Sequence, residues 1–122
     1  NWAKLKQILM GVCTNKQERL AIDLLKKINL FQYFEYVAGC DTFEFNKPDP
    51  RHLTNVIEII GGDLNKSIMV GDSEVDSLSA HSARIPFILV EEGYTEKNTN
   101  EIPHKTLIKD FSNFEKIIKD YL

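Results

Sequence analysis

Short apolar runs alternate with stretches of helical periodicity along this chain, and that alternation constrains the fold more than any other feature. The order reads β, α, β, α, β, α, β, then a weaker β and α, which is the pattern of an α/β fold with a parallel sheet and covering helices. The first strand is expected over Gln7 to Cys13 ("QILMGVC"), a nearly continuous apolar run of the kind a strand buried on both faces needs. "FEYVAGC", "SIMVG" and "PFILV" supply the next three, and "KTLI" a short edge strand.

The helices carry their own signals. After the first strand, Thr14 and Asn15 can each cap a helix, and the spacing Thr14 to Gln17 fits a capping box. That helix places Leu20, Leu24, Leu25 and Ile28 on one stripe, expected to lie on the sheet, with Asp23, Lys26 and Lys27 outward. Asp49 and Pro50 read as N-cap and first position of a second helix through Leu53, Val56, Ile57 and Ile60, closed by Gly61 and Gly62. A third helix spans Ser73 to about Ala83, and a last one Asn113 to Tyr121, with Phe114, Ile117, Ile118 and Tyr121 on one face. "EEGYTEKNTNEIPH" is the one long polar connection and reads as a surface loop.

With 43% hydrophobic residues, a chain of 122 suits one compact domain, residues 1–122. Such a domain buries roughly two thirds of its unfolded surface. A net charge of -3 offers no broad attraction for nucleic acid or an acidic membrane, so neither partner is expected. Cys13 and Cys40 come with no CxxC, no signal peptide and no long apolar run, which points to a cytoplasmic protein with free, packed thiols. His52, His81 and His104 lack metal-ligand spacing and read as ordinary surface or helix positions, and Trp2 as a partly exposed terminal residue.

In a parallel sheet, function gathers at the carboxyl ends of the strands. Thr14 follows the first strand, Lys47 lies in the loop after the second, and Asp72 follows the third. A hydroxyl, a fixed cation and a carboxylate together suit a phosphoryl group and a divalent metal, and Asn15 beside Thr14 adds donors for an anion. In "GDSEVD", Asp72 and Asp76 stand one helical turn apart, where like charges repel unless a cation sits near; magnesium is the natural candidate. Acidic residues in a first helical turn also complement the helix dipole, by about 0.3 to 1 kcal/mol each, and Glu74 is assigned to solvent.

The ordered set "GVCTNK", "KPDP", "VGDSEVD" resembles the second, third and fourth motifs of the haloacid dehalogenase-like superfamily. "CTNK", "NKPDP", "VGDSEVD" and "PFILVEEGY" look most like its phosphoglycolate phosphatase branch, over about Leu9 to Tyr94. The resemblance implies a Rossmann-like three-layer core and a magnesium-dependent phosphatase acting on a small phosphorylated metabolite through an aspartyl-phosphate intermediate. Carried over by position, Thr14 and Asn15 would bind the phosphoryl group, Lys47 would neutralise it, and Asp72 would ligate Mg2+. Asp76 would hold the metal's waters or steady Lys47, and Ser73 would cap its helix.

Two family features have no match. The DxDGT motif, source of the nucleophile and the general acid/base, is absent, since no Asp precedes Asp23, and so is the helical cap inserted after it. The resemblance therefore implies a partial core domain, the C-terminal part of a phosphatase left by truncation, proteolysis or a split gene, and inactive alone. It also implies a lost central strand between "ILMGVC" and "SIMVG", a gap of roughly 9 to 10 Å that closes up or is filled by another chain. A homodimer or a complementing N-terminal segment follows as a partner, and Mg2+ binding should be weak. Arg84 stands where the family usually has Gly, so either Arg pays a steric cost there or the turn differs.

Competing functions fit less well. A receiver domain places its acidic residues first and its Lys last, whereas the order here is Thr14, Lys47, Asp72. A haloacid dehalogenase needs no metal, and phosphosugar mutases usually depart from "CTNK" and "VGDS". The rival from another class is a non-catalytic remnant acting as a binding or assembly module.

Overall fold

The computed structural model describes residues 3, 6–90, 104, 106–108 and 114–119. In chain order the elements are β1 (Gly11–Cys13), α1 (Glu18–Lys27), β2 (Tyr36–Ala38), α2 (Arg51–Ile59), β3 (Met69–Gly71), α3 (Glu74–Ser82), β4 (Phe87–Val90), β5 (Thr106–Ile108) and α4 (Phe114–Lys119). Single 3-10 turns at Phe31–Tyr33 and Leu64–Lys66 precede β2 and β3. The order is the one the periodicity predicts, and every strand pairing is parallel. Trp2, Asn113, Tyr121 and nearly all of the long polar connection lie outside the described residues.

The strands are shorter than the apolar runs. β1 starts at Gly11, and Gln7, at φ +59°, is in a left-handed conformation that keeps it out of the strand. Nor is β1 buried on both faces: Gly11 is exposed, and Val12 and Cys13 are half-buried.

Helix ends follow local chemistry. α1 has Gln17 at its N-cap with no side-chain bond, so the capping expected of Thr14 or Asn15 does not occur. Instead the Glu18 amide donates to Asp41 Oδ1 at 2.8 Å, a cap supplied from beyond β2, while Thr14 Oγ1 accepts from the Lys16 amide at 3.1 Å in its own turn. At α2, Pro50 already has helical φ and ψ, and Asp49 Oδ1 accepts from the Arg51 amide at 2.9 Å, so Asp49 caps as expected. Gly61, at φ +79°, ends α2 with Gly61 donating to the Glu58 carbonyl and Gly62 to that of Ile57. Ser73 Oγ accepts from the Asp76 amide and caps α3.

Side-chain alternation along β4 builds a layer on each face. Phe87 and Leu89 join Leu53, Ala80 and Ile85 in one cluster, covered by α2 and α3. Ile88 points the other way onto Ile118 of α4. Fully burying each of these large side chains is worth about 1.5 to 3 kcal/mol. α1 departs from expectation. Ala21 is its buried residue, while Leu20, Leu24 and Ile28 are about half exposed.

The sheet is in two parts. Among the described residues β1 pairs only with β2, and β3, β4 and β5 form a second sheet in that order. Between β1 and β3 lies an apolar slot, opening into cavities of about 440 Å3 on one face and about 490 Å3 on the other. The sheet has not closed up. Both halves nonetheless share the same layers: Cys13 and Met69 pack on the α2/α3 cluster, and Ile8, Ile68 and Val70 on the α4 cluster.

Candidate active site

At the carboxyl ends of β1 and β3 the chain opens a cleft of about 680 Å3. Thr14, Asn15 and Lys16 enter it from the turn after β1, Asp72 and Ser73 from the turn after β3, Lys47 from the loop after β2, and Asp76 from α3. Residues separated by up to 62 positions are thus brought to one place, and they include all five of the residues singled out in the sequence, Thr14, Asn15, Lys47, Asp72 and Asp76.

Lys47 is pinned at the floor. Its Nζ donates to Asp76 Oδ1 at 2.5 Å and to the Cys13 carbonyl at 2.9 Å, with the Lys47 and Asp76 side chains only 8% and 10% exposed. An ammonium has three N–H donors, so two bonds orient the group and leave one for an anion in the cleft. Asp76 has its other oxygen engaged as well, since Oδ2 accepts from the Asp72 amide at 3.3 Å. A Cβ on Gly71 would come within 2.5 Å of Asp76 Oδ2, so a glycine there is what lets Asp76 reach Lys47.

Asp72 itself is exposed at the cleft, and Thr14 is half-buried with Oγ1 accepting from Lys16, which leaves its O–H free to donate. Glu74 is half-buried rather than in solvent. Burial pushes the Cys13 thiol up to about 12, with the Lys47 charge opposing and the Asp76 charge adding to the rise. A neutral thiol therefore lies beside the lysine.

Sequence reasoning missed His52. It lies on α2 as expected, but fully buried, with Nε2 3.1 Å from the Gly39 carbonyl and Phe43 packed edge-on at 5.5 Å. The signal was its spacing: His52 stands four residues before Val56, on the buried face of the helix.

Magnesium fits this site as a partial set. Among the described residues no group of three or more His, Cys, Asp or Glu converges on a point. With both oxygens of Asp76 taken, the carboxylate left open to the cleft among its described lining residues is Asp72. Mg2+ commonly binds through one or two carboxylates while keeping several waters and contacting substrate phosphate, so one carboxylate is a compatible beginning.

Parallel strands with a pinned lysine and an acidic pair at their carboxyl ends place the molecule in the class of Rossmann-like α/β folds. Residues 1–90 match the family model described as haloacid dehalogenase-like hydrolase, and the chain belongs to that family. It is 46% identical over 116 residues to a phosphoglycolate phosphatase of Agrobacterium fabrum, covering 91% of this chain and 50% of the relative. It is 43% identical over 103 residues to a phosphoglycolate phosphatase of Mesorhizobium japonicum, covering 84% and 45%. The crystal structure titled a predicted phosphoglycolate phosphatase from Haemophilus somnus superposes with a TM-score of 0.89 at 23% identity, covering 95% of this chain and 52% of that one. The chain spans about half the length of these relatives.

Proposed function

We propose that this chain is the C-terminal part of a magnesium-dependent phosphatase that hydrolyses a small phosphate monoester, 2-phosphoglycolate, and carries part of its phosphoryl and metal site. The observation that carries this is Lys47, held between Asp76 and the Cys13 carbonyl in a cleft that Thr14 and Asp72 also line. The names of the Agrobacterium and Mesorhizobium relatives support the substrate.

In this account the third N–H of Lys47 and the hydroxyl of Thr14 donate to phosphoryl oxygens, with Asn15 at the rim. Asp76 holds Lys47 charged and oriented rather than ligating metal directly. Asp72 would hold Mg2+, which when bound supplies positive charge against the phosphoryl oxygens. The sequence contains no DxDGT to supply a nucleophile, so the 122-residue chain by itself is proposed to be inactive and to bind Mg2+ weakly. Among the described residues no helix is long and apolar enough to cross a membrane, and a cytoplasmic location is the companion proposal.

The test is hydrolysis of 2-phosphoglycolate, with Mg2+, by a chimera in which this chain replaces the matched segment of the Agrobacterium fabrum relative, assayed beside the isolated chain. Turnover by the chimera alone is expected, with other small phosphate monoesters hydrolysed more slowly. Turnover by the isolated chain that Asp72→Ala abolishes would overturn its proposed inactivity.

A further inference from the structure

We propose that His52 is a positioning residue for the phosphoryl site: from inside the core it fixes the backbone crossing at Gly39, on which the turn bearing Thr14 hangs. It acts through that backbone and touches no substrate. The catalytic consequence rests on the phosphatase proposal; the placing of the turn does not.

Packing alone does not account for a histidine here. The ring is 0% exposed, and its Nδ1 is buried with no hydrogen-bond partner among the described residues. An apolar side chain of similar size would fill the same space and leave no acceptor unpaired. What the ring supplies is its other nitrogen. Nε2 lies 3.1 Å from the Gly39 carbonyl, and because a carbonyl only accepts, Nε2 carries the proton and donates.

That bond falls where two loops cross. Gly39 follows β2 directly, and a Cβ on it would collide with the Glu18 amide nitrogen and the Lys16 carbonyl, so the chain after β2 lies flat against the turn after β1. The turn is tied to the residues on either side of Gly39: the Thr14 amide donates to the Ala38 carbonyl at 3.0 Å, and the Cys40 amide to the Lys16 carbonyl at 2.7 Å. Within the turn, Thr14 Oγ1 accepts from the Lys16 amide, so a shift at Gly39 reaches the hydroxyl that faces the cleft. The Gly39 peptide also bonds Thr42, through its amide to Oγ1 at 2.7 Å and its carbonyl from the Thr42 amide at 3.3 Å, but Thr42 belongs to the same loop and moves with it. His52 holds the crossing from α2.

The same residue meets the lysine side of the site. Its carbonyl accepts from Cys13 Sγ at 3.9 Å, and the Cys13 carbonyl is the one that accepts from Lys47. Phe43, in the loop that carries Lys47, packs edge-on against the ring. A donor misplaced by about 1 Å loses much of its effect on a transition state, so a buried contact of this kind can govern turnover.

The experiment compares His52→Met, which removes the donor, with His52→Gln, whose amide can place an N–H near the position of Nε2; His52→Leu replaces the first should it misfold. In the 122-residue chain, amide exchange at Thr14 and Cys40 is expected to quicken at least about tenfold in His52→Met while that of Ile88 in β4 changes less than about threefold, and His52→Gln should restore it. In the chimera with the Agrobacterium fabrum relative, at a temperature where every variant is folded, kcat for 2-phosphoglycolate should fall at least about tenfold in His52→Met with a smaller change in KM. Thr14→Val should then cost less than about threefold in that background, because the hydroxyl is already out of place. Quickened exchange at Thr14 and Cys40 beside a chimera that hydrolyses nothing even with His52 intact supports the positioning and counts against the phosphatase. Exchange that is unchanged or quickens equally at Ile88, a glutamine variant no better than the methionine one, or losses from Thr14→Val that simply add would overturn the proposal.

Discussion

Lys47 and Asp76, 29 positions apart, meet at 2.5 Å in a nearly buried ion pair that ties the loop after β2 to the first turn of α3. The same ammonium bonds the Cys13 carbonyl, so one side chain joins the two halves of the divided sheet at the site itself.

Removing the lysine should therefore cost stability as well as function. Lys47→Met leaves Asp76 buried without its partner, a change that typically costs about 3 to 5 kcal/mol. The paired variant with Asp76→Leu should recover much of that loss. Urea unfolding of both variants checks it, and additive losses would contradict the coupling.

Gly71→Ala tests the packing beside that pair. The new methyl would press on Asp76 Oδ2 at 2.5 Å and turn the carboxylate away from Lys47. In an active chimera, turnover should fall at least about tenfold with a smaller loss of stability, since the clash falls on a side chain rather than on backbone.

Cys13 should react slowly and make stability depend on pH. Burial raises its thiol from 9.0 to about 12, so the folded state holds the proton longer than the unfolded state. Its contribution is complete below pH 9 and is lost as pH rises between 9 and 12. Cys13→Ala should remove that part of the alkaline decline in unfolding free energy. Labelling of native Cys13 by a disulfide reagent at pH 8 should be at least about a hundredfold slower than in urea.

Arg84 adopts φ +58° just after α3, a conformation that costs a residue with a Cβ roughly 1 to 2 kcal/mol. Arg84→Gly relieves it, offset by glycine's greater freedom when unfolded, and should stabilise by about 0.5 to 1 kcal/mol in urea unfolding. Destabilisation would show that the Arg84 side chain makes a compensating contact.

The convergence of Thr14, Lys47 and Asp72 was legible because they follow apolar runs in a fixed order, and parallel strands carry whatever follows them to one edge. The caps at Asp49 and Ser73 and the stop at Gly61 were legible because each depends on its near neighbours. What stayed hidden depends on distant partners. Asp41 caps α1 from beyond β2, and no local pattern announces it. The Leu20, Leu24 and Ile28 stripe is correct as helix periodicity, yet half of it stays exposed, because burial depends on which elements pack against the helix. His52 read as an ordinary surface or helix position, and its full burial on α2 depends on the packing of Phe43 and the Gly39 carbonyl against it. The division of the sheet, by contrast, was expected from the missing DxDGT segment and not from either edge, since both edge sequences read as ordinary buried strands.

The most direct measurement is magnesium-dependent hydrolysis of 2-phosphoglycolate by the chimera and by its Lys47→Ala and Thr14→Val forms. A phosphoryl site built on these residues predicts that kcat/KM falls at least about a hundredfold for Lys47→Ala and about tenfold for Thr14→Val. A folded chimera whose turnover survives both substitutions, or needs no magnesium, would contradict the account.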